Sequence, residues 1–184
     1  MVQTLSNMLP LGTEAPDFNL FDVISEKSIG LHDLKGKRAT LIMFICNHCP
    51  FVKHIQDELV RLGNEYQEKE VSLIAISSND VEAYPDDSPE KMKTLAETLG
   101  YVFPYLYDED QLVAKAYDAT CTPDFFIFDK KLSCVYRGQL DDSRPGNNVP
   151  VTGSDIRNAL DSILSGDQVT AQQKPSVGCN IKWK

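Results

Sequence analysis

The feature that most constrains this chain is a junction. Ala39 to Ile45 is an unbroken apolar run, and it stops at Cys46-Asn47-His48-Cys49-Pro50. From Pro50 to Glu68 the period changes: Phe51, Ile55, Leu59, Leu62 and Tyr66 recur at spacings of three and four. The run reads as a strand buried on both faces, and the stretch after it as an amphipathic helix. Two cysteines therefore sit between the end of a buried strand and the start of a helix, and that placement says more than their spacing does.

The flanking sequence fills in an α/β pattern. Asp17 to Val23 alternates apolar and polar residues and reads as an edge strand, with Ser28 to Leu31 pairing with it across Ser25 to Lys27. Val71 to Ser77 is a second buried strand. After the polar segment Ser78 to Ser88, Ser88 caps a helix, Pro89 opens it and Gly100 stops it. A short strand spans Val102 to Tyr107 and a brief helix Gln111 to Tyr117. Asp124 to Phe128 and Leu132 to Arg137 form a hairpin around Asp129-Lys130-Lys131. Leu140 to Gly153 is a loop, and Ser154 to Leu164 a last helix with Ile156, Leu160, Ile163 and Leu164 inward. The order strand–helix–strand–helix–strand–helix–strand–strand–helix predicts a mixed sheet with helices on both faces. One domain is expected over 1–166, with an N-terminal hairpin extension, and a tail over 167–184. The tail carries the only tryptophan, Trp183, and is expected to dock on the domain.

Charge narrows the partners. Lys and Arg total 18 against 27 Asp and Glu, a formal charge of −9. Such a surface repels phosphate backbones and anionic lipid, so neither nucleic acid nor membrane is expected as a partner. The first residues show no export signal and no run is long enough to span a bilayer, so a cytoplasmic location is expected. Disulfide frameworks are rare in that reducing compartment, and five cysteines is an odd number. A close cysteine pair is then a chemical feature before it is a staple.

The chemistry follows from position. A helix N-terminus stabilises thiolate and can bring a thiol from about 8.5 down to roughly 3.5–7.5. Two intervening residues let both sulfurs reach bonding distance. One thiolate can attack a disulfide while the other resolves the mixed disulfide. His48, when protonated, adds local positive charge. The competing readings are a metal site built from Cys46, Cys49 and His48 or His54, and two inert buried thiols. No second close cysteine pair completes a zinc site, so neither metal nor cofactor is expected. His54 reads as a surface residue. Pro50 fits only the first helical turn, which starts the helix at Cys49 and favours Cys49 as the thiolate.

Three segments resemble the thioredoxin-fold superfamily, in the peroxiredoxin-like (AhpC/TSA, redoxin) branch. They are Gly12-Thr13-Glu14-Ala15-Pro16-Asp17-Phe18, the junction Phe44 to Pro50, and Cys121-Thr122-Pro123-Asp124-Phe125-Phe126-Ile127-Phe128-Asp129. The resemblance covers about Leu11 to Leu164. It implies a thioredoxin-like fold and a thiol–disulfide oxidoreductase using a Cys46/Cys49 couple. A thiol peroxidase with Cys49 reacting with peroxide, or a redox-sensing or metal-binding protein that turns nothing over, are the alternatives. It places Thr122 and Pro123 beside the cysteines, offering backbone to a substrate strand, with Thr122–Pro123 cis. Asn47, His48 and Pro50 support the pair. Similarity to thioredoxins at this junction implies that Cys46 is the more exposed sulfur; because exposure and partner access govern attack, the expectation is that Cys46 attacks and Cys49 resolves. Arg137 matches an arginine that peroxiredoxins keep near the thiolate, or is a solvent-facing strand charge. Cys121 approaches the site or is a small buried hydrophobe. Cys179 is a packed thiol or a third redox cysteine. Three departures stand out: Ile45 replaces an aromatic residue, Ala39 to Ile45 lacks a buried carboxylate, and Cys46 stands where peroxiredoxins place a threonine. The implied partners are a disulfide-bearing protein or small thiol, and an external electron donor.

Overall fold

The computed structural model describes residues 3–184. Its central sheet is built around β4 (Ala39–Phe44), which has no exposed residue. Parallel to β4 lies β5 (Val71–Ser77), and antiparallel on its other side lies β8 (Asp124–Asp129). Outward from β5 come β6 (Tyr105–Tyr107), β2 (Asn19–Asp22) and β3 (Lys27–Gly30); beyond β8 comes β9 (Cys134–Gly138). The seven strands run in the order β3-β2-β6-β5-β4-β8-β9. β2 is thus paired on both sides, and β3 is the edge. The alternation in 17–23 marks a strand with one wet face, not one with an open edge.

Helices cover both faces, as the doubly apolar strands require. α2 (Pro50–Tyr66), α3 (Pro89–Leu99) and α5 (Ser154–Ser165) lie on one face. There Ile55, Leu59, Leu62, Met92, Ile156 and Leu160 meet Leu41, Met43, Leu73, Phe125 and Ile127. α1 (Leu31–Leu34) and α4 (Leu112–Ala116) cover the other. Their Leu31, Val113 and Ala114 join Ile42, Phe44, Ile74, Ile76, Phe126 and Phe128. Each fully buried aliphatic or phenyl side chain contributes roughly 1.5–3 kcal/mol. Tyr117 anchors this second core, its ring 5.6–6.5 Å from those of Phe18, Phe44, Phe126 and Phe128.

α2 ends at Tyr66, short of Glu68, and continues as a single 3-10 turn over Gln67–Lys69. Its buried face includes Val52 and Glu58, whereas Phe51 is half-buried. Glu58 is tolerated inside because Arg61 and Arg157 both reach its carboxylate. Ile163 and Leu164 of α5 are likewise half-buried, not fully inward.

A second, three-stranded sheet lies beside the site. β10 (Val177–Asn180) runs antiparallel between β1 (Gln3–Leu5) and β7 (Cys121–Thr122). The stretch 167–184 thus docks on the domain, and four of its residues form a strand. No apolar period announced β10, because its Val177-Gly178-Cys179-Asn180 is too short and too mixed. No helix among the described residues is long and apolar enough to cross a membrane.

Candidate active site

Cys46 follows the last residues of β4, and Cys49 is the N-cap of α2, with Pro50 as the first helical residue. The proline argument therefore holds. The premise that Cys46 is the more exposed thiol does not: Cys46 is 1 % exposed and Cys49 0 %. Both lie beneath the protein surface, so exposure gives no preference between them.

The four-residue loop is fixed by a carboxylate from forty residues away. Asp87, fully buried, accepts from the Asn47 N–H (2.8 Å) and the His48 N–H (3.1 Å) through Oδ1. Its Oδ2 lies 2.6 Å from His48 Nδ1 and accepts from Asn79 Nδ2 at 2.8 Å. Asn47 donates to the Asp86 carbonyl and accepts from the Tyr105 hydroxyl. The His48 ring stacks on Tyr84, centroids 5.2 Å apart. Sequence reasoning missed Asp87. It sits in a polar segment that reads as a helix approach, and nothing local tells a carboxylate aimed at its own helix from one aimed across the fold.

The Thr122–Pro123 peptide is cis, as expected. Thr122 touches both cysteines: its Oγ1 is 3.4 Å from Cys46 Sγ, and its carbonyl oxygen 3.2 Å from Cys49 Sγ. Cys179 Sγ lies 2.9 Å from Cys49 Sγ. Cys121 is buried two residues from Pro123, its Sγ 3.8 Å from the Pro123 carbonyl, and burial pushes its thiol well up. Arg137 bonds the Leu9 carbonyl and Gln173 Oε1, so its guanidinium ties the N-terminal segment to the 167–184 stretch; none of its bonds among the described residues reaches the cysteines. His54 is not a plain surface residue. It is half-buried, 2.7 Å from the Ser143 hydroxyl.

The electrostatics divide the pair. Cys49 is drawn down to about 5, first by the hydrogen bond from Cys46, against the opposing cost of burial, and then by Cys179 and the backbone N–H of Val52. That N–H belongs to the first turn of α2, where unsatisfied amides favour negative charge. Cys46 moves the other way, well up: it keeps its proton to donate a hydrogen bond to Cys49, is buried, and faces the charge of Asp87. These displacements favour the negative charge on Cys49 and the proton on Cys46, a starting condition for attack on a sulfur or an oxygen. The expectation that Cys46 attacks rested on exposure, and the site gives it no support.

Cys46, His48 and Asp87 also present ligand atoms within 4.8 Å of one another. Both Asp87 oxygens already accept hydrogen bonds, so this trio is first of all the clamp that shapes the loop.

Comparison with known proteins follows the same lines. The model of the AhpC/TSA family matches residues 11–137. An uncharacterised conserved protein of Geobacillus kaustophilus is 65% identical over 100% of this chain and 97% of its own, with a TM-score of 0.99. A hypothetical protein of Sinorhizobium meliloti 1021 is 46% identical over 98% of each chain, at 0.96. A putative thioredoxin of Neisseria meningitidis, 22% identical over 82% of this chain and 89% of its own, aligns at 0.63 and shares the fold. No curated protein sequence matches the chain. The fold is thioredoxin-like, and the chain belongs to the AhpC/TSA family.

Proposed function

We propose that this protein is a thiol–disulfide oxidoreductase whose working couple is Cys46/Cys49, with Cys49 as the attacking thiolate. The observation that carries the reading is that one residue, Thr122, touches both buried thiols, its Oγ1 3.4 Å from Cys46 Sγ and its carbonyl oxygen 3.2 Å from Cys49 Sγ; the opposite displacement of the pair, Cys49 to about 5 and Cys46 upward, favours Cys49 as the attacker. Cys49 Sγ attacks a substrate disulfide, forming a mixed disulfide and releasing one substrate thiolate. Cys46 then loses its proton, attacks Cys49 Sγ and releases the second substrate thiol. The substrate gains two electrons and the pair becomes a disulfide. Asp87 is a positioning residue that fixes the loop, and Thr122 borders both sulfurs.

The family match and the low value of Cys49 favour a second reading, thiol peroxidase. There the Cys49 thiolate attacks one peroxide oxygen, the O–O bond breaks and hydroxide leaves to be protonated to water, and the resulting Cys49 sulfenic acid condenses with the Cys46 thiol to a disulfide and a second water. One experiment separates the two. Reduction of insulin disulfides by dithiothreitol and consumption of hydrogen peroxide are measured side by side for wild type, Cys46→Ser and Cys49→Ser. Oxidoreductase chemistry predicts strong disulfide reduction that both substitutions abolish, and little peroxide turnover. Peroxide turnover that survives in Cys46→Ser, with no insulin reduction in wild type, would establish the peroxidase instead.

A further inference from the structure

The edge of β7 that borders the cysteines is already occupied. β10 pairs with it antiparallel, Cys179 opposite Thr122 and Asn180 opposite Cys121. The approach is close enough that a Cβ on Gly178 would stand 2.0 Å from the Thr122 carbonyl oxygen, so only glycine fits there. This brings Cys179 Sγ to 2.9 Å from Cys49 Sγ. A disulfide is about 2.05 Å, so less than about 1 Å of movement separates contact from bond. β10 is also held from both sides. β1 pairs along its other edge, the Ile181 N–H donates to the Thr120 carbonyl, and the Lys182 N–H donates to Asn79 Oδ1. Asn79 is the residue that also grips Asp87, so the strand and the cysteine loop hang on one side chain.

We infer that Cys179 is a third redox cysteine, carried on a resident strand, that exchanges with the Cys46–Cys49 disulfide to form Cys49–Cys179. This rests on the Cys46/Cys49 couple proposed above. Once the couple has reduced a substrate, Cys179 loses its proton and its sulfur attacks Cys49 Sγ. The Cys49–Cys179 bond forms, the Cys46–Cys49 bond breaks, and Cys46 leaves with the electron pair and takes up the proton. The step is an isomerisation that needs no oxidant or reductant. Cys49 is the common sulfur of both disulfides. Cys46 is returned to its thiol, and the oxidising equivalent passes to the strand beside β1. The plainer expectation of an inert packed thiol does not account for a sulfur held at 2.9 Å from the site's thiolate by bonds on both sides of its strand.

The test is disulfide mapping in the full chain. Reduced protein is equilibrated with glutathione disulfide, quenched in acid, alkylated, digested and read by mass spectrometry. The wild type should yield both Cys46–Cys49 and Cys49–Cys179 linked peptides. Cys46→Ser should yield Cys49–Cys179 alone, with loss of Cys179 alkylation. Cys49→Ser should yield neither linkage and no Cys46–Cys179 peptide. If Cys46–Cys49 forms while Cys179 stays fully alkylated in both wild type and Cys46→Ser, the exchange is overturned and the couple stands. If wild type forms no Cys46–Cys49 linkage, the couple falls and the exchange with it. Should Cys46→Ser not fold, the wild-type map alone decides.

Discussion

A thiol held at about 5 makes a prediction that can be worked through in numbers. At pH 7 such a group is about 99 % thiolate, against about 3 % for an ordinary cysteine near 8.5, a gain of roughly 30-fold. Thiolates of lower pKa are weaker nucleophiles, and a Brønsted slope of about 0.45 over ~3.5 pH units removes roughly 40-fold. The two effects cancel near pH 7, so a single rate there shows nothing. At pH 6 the thiolate advantage grows to roughly 300-fold while the penalty is unchanged, leaving a net gain of about 8-fold. The signature is therefore in the pH profile. Thiolate absorbance at 240 nm in the reduced protein should rise with a midpoint near 5, in an amount for one sulfur, and reaction with a small disulfide should be nearly flat from pH 6 to 8. The other thiols do not interfere, since burial pushes Cys134 up to about 11 and Cys179 to about 12. Because the Cys46 hydrogen bond is the largest lowering influence, Cys46→Ala should move the midpoint upward. A rate climbing tenfold per pH unit between 6 and 8, or a midpoint unmoved in Cys46→Ala, would refute the assignment of the thiolate.

The same displacement fixes the sign of a stability effect. The unfolded thiol binds a proton that folded Cys49 does not, so this contribution is present above about 8.5 and is lost as pH falls toward 5; urea midpoints of reduced wild type and Cys49→Ala should converge over that window. Asp87→Ala strands two half-buried loop amides, Asn47 and His48, and should cost about 2–3 kcal/mol in urea denaturation. Asp124 shows the opposite linkage. Its carboxyl is fully buried, one oxygen has no hydrogen-bond partner among the described residues, and burial raises it well above the usual carboxylate range. Its contribution is greatest below the ordinary carboxylate range and declines as pH rises from about 4, so over that rise Asp124→Asn should lose less stability than wild type; parallel curves would contradict this.

What the sequence made legible was whatever repeats locally. Ala39 to Ile45 and the 3.6-residue period after Pro50 fixed β4 and α2, because each pattern is itself the cause of the element. Pro50 placed the helix start at Cys49 by a steric rule that needs no neighbours. What stayed hidden depends on partners distant in the chain. Glu58 is buried because Arg157 arrives from α5. Asp87 shapes the loop through bonds spanning about forty residues. Cys179 reaches Cys49 only because β10 lies between β1 and β7. The relative exposure of Cys46 and Cys49 failed for the same reason, since the chain that covers both sulfurs comes from elsewhere.

Asn79 has a consequence of its own. Its Oδ1 accepts from the Lys182 N–H and its Nδ2 donates to the Asp87 carboxylate, both at 2.8 Å. The two partners have opposite hydrogen-bonding polarity, and a side-chain amide has one end of each kind. Turning it by 180° would set N–H against N–H and oxygen against oxygen, so the rotamer admits a single orientation. Aspartate at 79 would repel Asp87, and leucine would take the acceptor from the Lys182 N–H and one of the donors from the buried Asp87 carboxylate. The identity of this residue is thus dictated at a distance by two segments that do not touch it in sequence. It works as a polarised pin, fitting only when loop and strand are both in place.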